Sequence, residues 1–308
     1  MTYTYLLAGE NLDLAQKELE GLLGSQNLKK EVQRKQRIAI TKQEPKLLKR
    51  LALTHEVSQL LSKTTLEELE ITYRPKQSFS IRAKDLTEND RKEKIENELG
   101  EKLSTEENSV DLENPKETIK AYILEDEVII GKEITEIDRG LFEKRKNQKR
   151  PFSSPVSLDP VLARVLVNLS EVSAGGSVLD TFCGTGGILI EAGLCGIAVA
   201  GTDVKPEMIK GTRKNLEEYG VINHDIREEE VINAPDIFDR KFDAVITDLP
   251  YGKASFEENR PVEDFLKTLP ELTDGKAIFM YNEKKIGDIE ADFEIYVHKS
   301  LTRYIFIQ

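Results

Sequence analysis

Three acids, Asp180, Asp203 and Asp248, each close a short apolar run, and the residues just after each of them have a chemical use. After Asp248 come Leu249-Pro250-Tyr251-Gly252. A carboxylate accepts hydrogen bonds from an amino group, and a tyrosine face stacks on a planar base. Proline fixes φ and stiffens the turn, so the Leu249 carbonyl can be aimed as a second acceptor. A plain strand-ending turn with a buried tyrosine would use the same residues. After Asp180 comes Thr181-Phe182-Cys183-Gly184-Thr185-Gly186-Gly187. Glycines there let the backbone take positive φ and approach a ligand closely. Their spacing is not the Gly-x-Gly-x-x-Gly of a dinucleotide loop, and an acid at its start sits poorly beside a pyrophosphate. It suits a cationic ligand, one with a sulfonium and an ammonium group. Asp203, 23 residues on, puts a carboxylate where the ribose hydroxyls of a bound adenosine would lie.

Such residues need a sheet edge to stand on. The runs at 177–180, 198–203 and 242–247 read as buried parallel strands, with helices from 188 and from about 206. Ligands of open α/β sheets bind outside the carboxyl ends of the strands. Upstream, Pro151, Pro155 and Pro160 exclude a helix until Asp159, a good N-cap with proline at the first helical position. The apolar helix that comes next would cover the mouth of a cofactor pocket. Downstream, 276–281, 293–298 and 301–307 read as strands. The last two are so close that they demand an antiparallel hairpin, an ending that a plain dehydrogenase sheet lacks.

The first 74 residues show no such chemistry. Leu12, Leu14, Ala15, Leu19, Leu22 and Leu23 recur at helical spacing up to Gly24, and 37–41 reads as a strand. Residues 46–61 are expected as a second helix on the spacing of Leu47, Leu48, Leu51, Leu53, Val57, Leu60 and Leu61, with His55 a surface or core residue within it. A further α+β segment comes next: a strand at 78–83, a charged helix over 86–103, and strands at 118–124 and 128–131.

At 308 residues, 39% hydrophobic and 32% charged, the chain has room for two or three domains and an ample core. No apolar run approaches the roughly 18–20 residues that span a bilayer, and the N-terminus lacks the basic region of a signal peptide. Cys183 and Cys195 build neither a zinc cluster nor a disulfide framework, so a reducing cytoplasm is expected. A net charge of -12 opposes nucleic acid, yet the excess acid lies almost wholly beyond residue 150. Residues 139–150 carry Arg139, Lys144, Arg145, Lys146, Lys149 and Arg150 against Glu143 alone. That run is expected as a basic linker over 139–154, suited either to phosphate contact or to plain solvation.

Asp180-x-Phe182-x-Gly184-x-Gly186-Gly187 resembles motif I of class I S-adenosylmethionine-dependent methyltransferases, and Asp203 followed by Pro206 and Met208 resembles their motif II. Asp248-Leu249-Pro250-Tyr251 resembles the (D/N)-P-P-(Y/F) signature of enzymes that methylate exocyclic amino groups of purines. Leu249 replaces the first proline, a departure that bears on which substrate atom is preferred. Residues 75–138 resemble the THUMP domain, an RNA-binding module of tRNA-modifying enzymes, after a ferredoxin-like α+β region at 1–74. The Pro151-Phe152-x-x-Pro155-x-Ser157-Leu158-x-Pro160 run and the stretch from His298 to Arg303 extend the likeness. Over about residues 75–308 the chain is similar to the archaeal and eukaryal tRNA methyltransferases that modify the N2 of guanosine 10.

The resemblance implies a seven-stranded, Rossmann-like α/β methyltransferase domain over 155–308. It implies S-adenosylmethionine held by Asp180, Phe182, Cys183, Gly184, Thr185, Gly186, Gly187, Asp203, Val204, Asp225, Ile226 and Asp248, with the Asp225 carboxylate on the adenine amino group. Catalysis would rest on Asp248, Leu249, Pro250 and Tyr251, and tRNA would be the partner. Members also bind a small zinc-ribbon activator protein, and the sequence leaves that partner open. Alternatives are a methyltransferase of ribosomal RNA guanine N2 or DNA adenine N6, and a non-catalytic RNA-binding subunit. A nicotinamide oxidoreductase would share the sheet but not the glycine spacing.

Overall fold

The computed structural model describes residues 1–44, 46–106, 108–155, 157–250, 260–299 and 301–308. The chain divides into two units, one of Met1–Gln16, Lys29–Lys49 and Leu53–Asp138, the other of Lys17–Leu28, Arg50–Ala52 and Arg139–Gln308.

One seven-stranded sheet forms the first unit. Its strands are β1 (Tyr3–Leu7), β2 (Gln33–Lys35), β3 (Ile38–Thr41), β4 (Thr54–Thr65), β5 (Phe79–Asp85), β6 (Glu117–Ile123) and β7 (Glu127–Glu136), in the order β2-β3-β1-β4-β7-β6-β5. Helix α1 (Leu12–Gly24) ends on its glycine as expected. The helix expected over 46–61 is not there. A single 3-10 turn at Leu48–Arg50 is followed by the long strand β4, and His55 lies in that strand. The leucines fit a helical stripe, but Thr54, Val57, Thr64 and Thr65 are β-branched, and β4 pairs with β1 on one side and β7 on the other. That pairing runs one sheet through both 1–74 and 75–138, which the sequence pattern divides into separate regions.

Helix α2 (Lys92–Leu103) buries Ile95, Leu99 and Leu103 against Phe79, Ile81 and Ile119. It is the crossover that the parallel pair β5 and β6 requires. It starts later than residue 86 because Asp85 holds the chain in a turn, accepting from the backbone N–H of Thr87 at 2.9 Å and of Arg91 at 2.8 Å.

The second unit carries β8 (Ser177–Asp180), β9 (Ala198–Asp203), β10 (His224–Glu228), β11 (Phe242–Asp248), β12 (Thr273–Tyr281), the short β13 (Lys285–Ile286) and β14 (Ile289–Glu290), then β15 (Phe293–His298) and β16 (Leu301–Ile307). Its helices are α3 (Gly140–Glu143), α4 (Pro160–Leu169), α5 (Gly187–Gly193), α6 (Pro206–Glu218), α7 (Ala234–Phe238) and α8 (Arg260–Leu272). The main sheet has the order β10-β9-β8-β11-β12-β16-β15. It is parallel through β12, while β16 enters antiparallel between β12 and β15. Helix α4 begins as expected, the Asp159 carboxylate accepting from the Val161 N–H at 2.9 Å. A chain of rings, Phe182, Phe265, Phe279 and Phe306, packs the core with successive centroids 6.4, 5.3 and 5.0 Å apart.

Residues 139–154 belong to the second unit and pack within it. Phe142 is buried, and Arg145 grips Glu191 of α5 with two hydrogen bonds of 2.6 and 3.1 Å. Arg164 of α4 reaches the same carboxylate at 2.8 Å, and Arg150 is buried as well. A fully buried acid such as Glu191 needs cations around it, and this run supplies one. Lys144 and Lys149 stay exposed. Among the described residues no helix is long and apolar enough to cross a membrane.

Candidate active site

Parallel pairing brings Asp180, Asp203 and Asp248 to one edge of the sheet, where they line a cavity of about 530 Å³. The loop after β8 forms its floor. Gly184 and Gly186 have φ of 50° and 79°, in the left-handed region. A β-carbon on Gly186 would also fall 2.9 Å from the Thr212 methyl. The loop is tied down from several sides. The Cys183 N–H donates to the Thr202 carbonyl at 2.9 Å, the Gly184 N–H to the Asp203 carboxylate at 3.0 Å, and the Thr212 hydroxyl to the Gly184 carbonyl at 2.6 Å.

The proline-rich run upstream packs onto the same loop. Asn215 exchanges two 2.9 Å hydrogen bonds with the backbone of Phe152 and donates to the Thr185 carbonyl at 2.8 Å. The Phe152 ring fills the space that a side chain at residue 211 would take, which explains Gly211 in α6. Ser157 is hydrogen-bonded to Thr185 at 2.9 Å, and Leu158 lines the cavity.

Asp180 is 2% exposed and accepts from the Thr247 hydroxyl at 2.6 Å and the Phe182 N–H at 3.2 Å. Burial pushes its carboxyl up to about 7, and the charges of Asp248 and Asp203 push the same way against those two hydrogen bonds. Burial also raises Asp248, and the Arg303 guanidinium pulls it back by hydrogen-bonding to Oδ2. Its Oδ1 is buried without a hydrogen-bond partner among the described residues. Leu249 is fully buried and its N–H donates to the Met280 carbonyl at 2.9 Å, which anchors the turn to β12. Pro250 is exposed at the cavity. Tyr251 lies outside the described residues. Burial pushes the Cys183 thiol well above its ordinary range, so it offers no thiolate near neutrality.

Most of the candidate residues meet at this cavity: Asp180, Phe182, Cys183, Gly184, Thr185, Gly187, Asp203, Val204, Asp248, Leu249 and Pro250 all line it, and Gly186 shapes the turn beneath. Asp225 and Ile226 do not. They pair with Ala200 and Gly201, short of the edge, whereas Glu228 pairs with Asp203 at the edge itself. Asp225 is bound by Arg227 at 2.7 Å, and Ile226 is buried in the sheet. The residues that line the cavity just past the end of this strand are Glu229, Glu230 and Val231. The ladder with β9 is the signal that finds them, since the carboxyl edge of β10 must be level with Asp203. Arg303 stands on a strand 55 residues from Asp248, and in the sequence it shows only as part of a C-terminal stretch of unknown role.

The cavity is of cofactor size, and its donor set fits S-adenosylmethionine. Three carboxylates suit a ligand with a sulfonium and an ammonium group, and the two left-handed glycines open the loop to close approach.

A family model described as the UPF0020, RMKL-like, methyltransferase domain matches residues 147–286. The chain is 34% identical over 282 residues to the tRNA (guanine(10)-N2)-dimethyltransferase of Methanothermobacter thermautotrophicus, covering 84% of this chain and 83% of that protein. It is 31% identical to the tRNA (guanine(10)-N2)-dimethyltransferase of Methanocaldococcus jannaschii, over 98% of both chains. Among solved structures, TrmN from Thermus thermophilus superposes with a TM-score of 0.54 over 100% of this chain and 99% of its own, at 19% identity. The fold of the second unit is that of a class I S-adenosylmethionine-dependent methyltransferase. By sequence shared along nearly its whole length, the chain belongs to the tRNA (guanine(10)-N2)-dimethyltransferase family.

Proposed function

We infer that this chain methylates the exocyclic N2 of guanosine 10 in tRNA with S-adenosylmethionine, giving N2-methyl- and N2,N2-dimethylguanosine. The observation that carries the reading is the buried, unpartnered Asp248 Oδ1 at the edge of a cavity built for an adenosine-bearing cation. When bound, S-adenosylmethionine supplies a methyl group on a positively charged sulfur, activated toward in-line attack. Asp203 would take the ribose hydroxyls, residues 229–231 the adenine edge, and Asp180 with the 181–187 loop the amino-acid portion. The lone pair of a guanine amino group is delocalised into the ring and is a weak nucleophile. Asp248 Oδ1 and the Leu249 carbonyl would accept its two N–H groups and turn the lone pair toward the cavity. Asp248 would take the proton that the amino nitrogen gives up on methylation. Burial raises its affinity for that proton. Tyr251 is the residue proposed to stack on the base, which must leave its helix to reach the site.

Residues 75–138 are proposed to bind RNA, supported by their likeness to the THUMP domain, and the reaction on tRNA sets the expected location in the cytoplasm. The test is nucleoside mass spectrometry of unmodified tRNA transcript incubated with the purified chain and methyl-labelled cofactor. Label in N2-methyl- and N2,N2-dimethylguanosine at position 10 is the expected result. Label in adenosine or in another guanosine would overturn the substrate assignment. A rate that rises when a zinc-ribbon partner is added would establish the activator. In the same assay Asp248→Asn should lose on the order of 100-fold or more in kcat, with cofactor affinity kept within a few-fold.

A further inference from the structure

We propose that Arg303 is the positioning residue of this reaction: it holds Oδ2 of Asp248 so that Oδ1 stays turned to the arriving amino group. This rests on the reading of Asp248 given above. The sheet topology explains how a residue near the start of β16 gets there. Asp248 pairs with Met280 on β12, and Met280 pairs with Ile305 on β16, so all three side chains share one face. Residue 303 lies two positions before 305 and therefore on that same face. The pairing of β12 with β16 ends at Tyr281 and Tyr304, so the Arg303 side chain passes beyond the end of β12 to reach Asp248. Only an antiparallel strand brings its own beginning to the carboxyl edge. That gives the reversed strand a chemical use.

Arg303 is 6% exposed, and its Nη1 donates to Asp248 Oδ2. A guanidinium locked in place fixes the carboxylate rotamer and also opposes its protonation. Asp180 of β8 faces Asp248 with like charge, and Arg260 and Asp264 of α8 line the same cavity. Without Arg303 the burial of Asp248 would act unopposed, and a protonated Asp248 accepts more weakly from the amino group and cannot take up its proton.

The experiment is the pH profile of kcat for wild type, Arg303→Gln and Arg303→Lys at saturating tRNA and cofactor, with cofactor affinity by calorimetry and thermal midpoints for each. Arg303→Gln should move the acid limb up by about one pH unit, so the loss approaches about tenfold below the wild-type limb and shrinks as pH rises above the shifted one. Arg303→Lys should return the limb toward the wild-type position, and cofactor affinity should stay within about twofold in both. An equal loss at every pH, or a loss confined to cofactor affinity, would overturn the proposal. Should Arg303→Gln fold poorly, the neutral pair Asp248→Asn with Arg303→Gln should recover its thermal midpoint, since the lone buried carboxylate is gone. No recovery, or a uniform loss in Arg303→Lys, also counts against it. If Asp248→Asn keeps full activity, the role of Asp248 itself fails. If Asp248→Asn is inactive while Arg303→Gln has the wild-type profile, only the role of Arg303 fails.

Discussion

Asp180 lies 2% exposed at the end of β8, and burial raises its carboxyl to about 7, so near neutrality a large share of unliganded molecules carry it protonated. The folded value stands above the unfolded one of about 3.9, so the native state holds the extra proton between the two. Its contribution to stability is therefore complete below the unfolded value and is lost as pH rises through about 7. A cation placed in the cavity favours the carboxylate and expels that proton. Cofactor affinity should thus strengthen from pH 6 to pH 8. Calorimetry at pH 6 in buffers of different ionisation heat should show a proton released on binding, and Asp180→Asn should abolish the release. Heats that are independent of buffer would remove Asp180 from cofactor recognition. The sequence shows an acid before the glycines and the reason a cation would want it. Its protonation state depends on how completely β8 is enclosed, which no local pattern encodes.

Elements carried most of what was legible, and their register carried what was not. A strand ending in an acid, a glycine turn and a helix read directly from the apolar run and the spacing of Gly184, Gly186 and Gly187, because each choice is local. Residues 46–61 mislead because leucines at helical spacing outvote the β-branched residues, and the ladders with β1 and β7 that decide the matter are remote in sequence. Asp225 misleads by register: an acid in β10 looks suitable until the pairing with β9 shows it short of the edge. Glu191 is likewise silent in the sequence, an acid within an apolar helix. In the structure it holds Arg145 and Arg164 and so joins the segment after α3 to α4 and α5. Glu191→Ala would leave two guanidinium groups with much of their charge uncompensated. It should cost about 3–5 kcal/mol in urea denaturation of the second unit's transition, whereas an effect under about 1 kcal/mol would show that water replaces the carboxylate.

At the scale of the molecule, a chain of net charge -12 is asked to engage a polyanion, so its attraction must be local. The basic run at 139–150 offers six cations in the sequence. The fold half-buries Arg139, uses Arg145 on Glu191, buries Arg150, and pairs Lys146 with Glu143 at 2.8 Å, while Lys144 and Lys149 remain exposed. Those two lysines are the ones in the run placed to meet phosphate. Lys144→Ala with Lys149→Ala should weaken tRNA binding, and it should lower the slope of log affinity against log salt by about 1 for each phosphate no longer neutralised. Because phosphate contacts position without reading bases, kcat at saturating tRNA and the choice of nucleotide should not change. Filter-binding titrations from low to moderate salt, paired with nucleoside analysis, would measure both. An unchanged slope would move RNA recognition away from this run and leave the first unit, with residues 75–138, to supply it. A changed nucleotide would mean that these lysines set the register of the tRNA on the site.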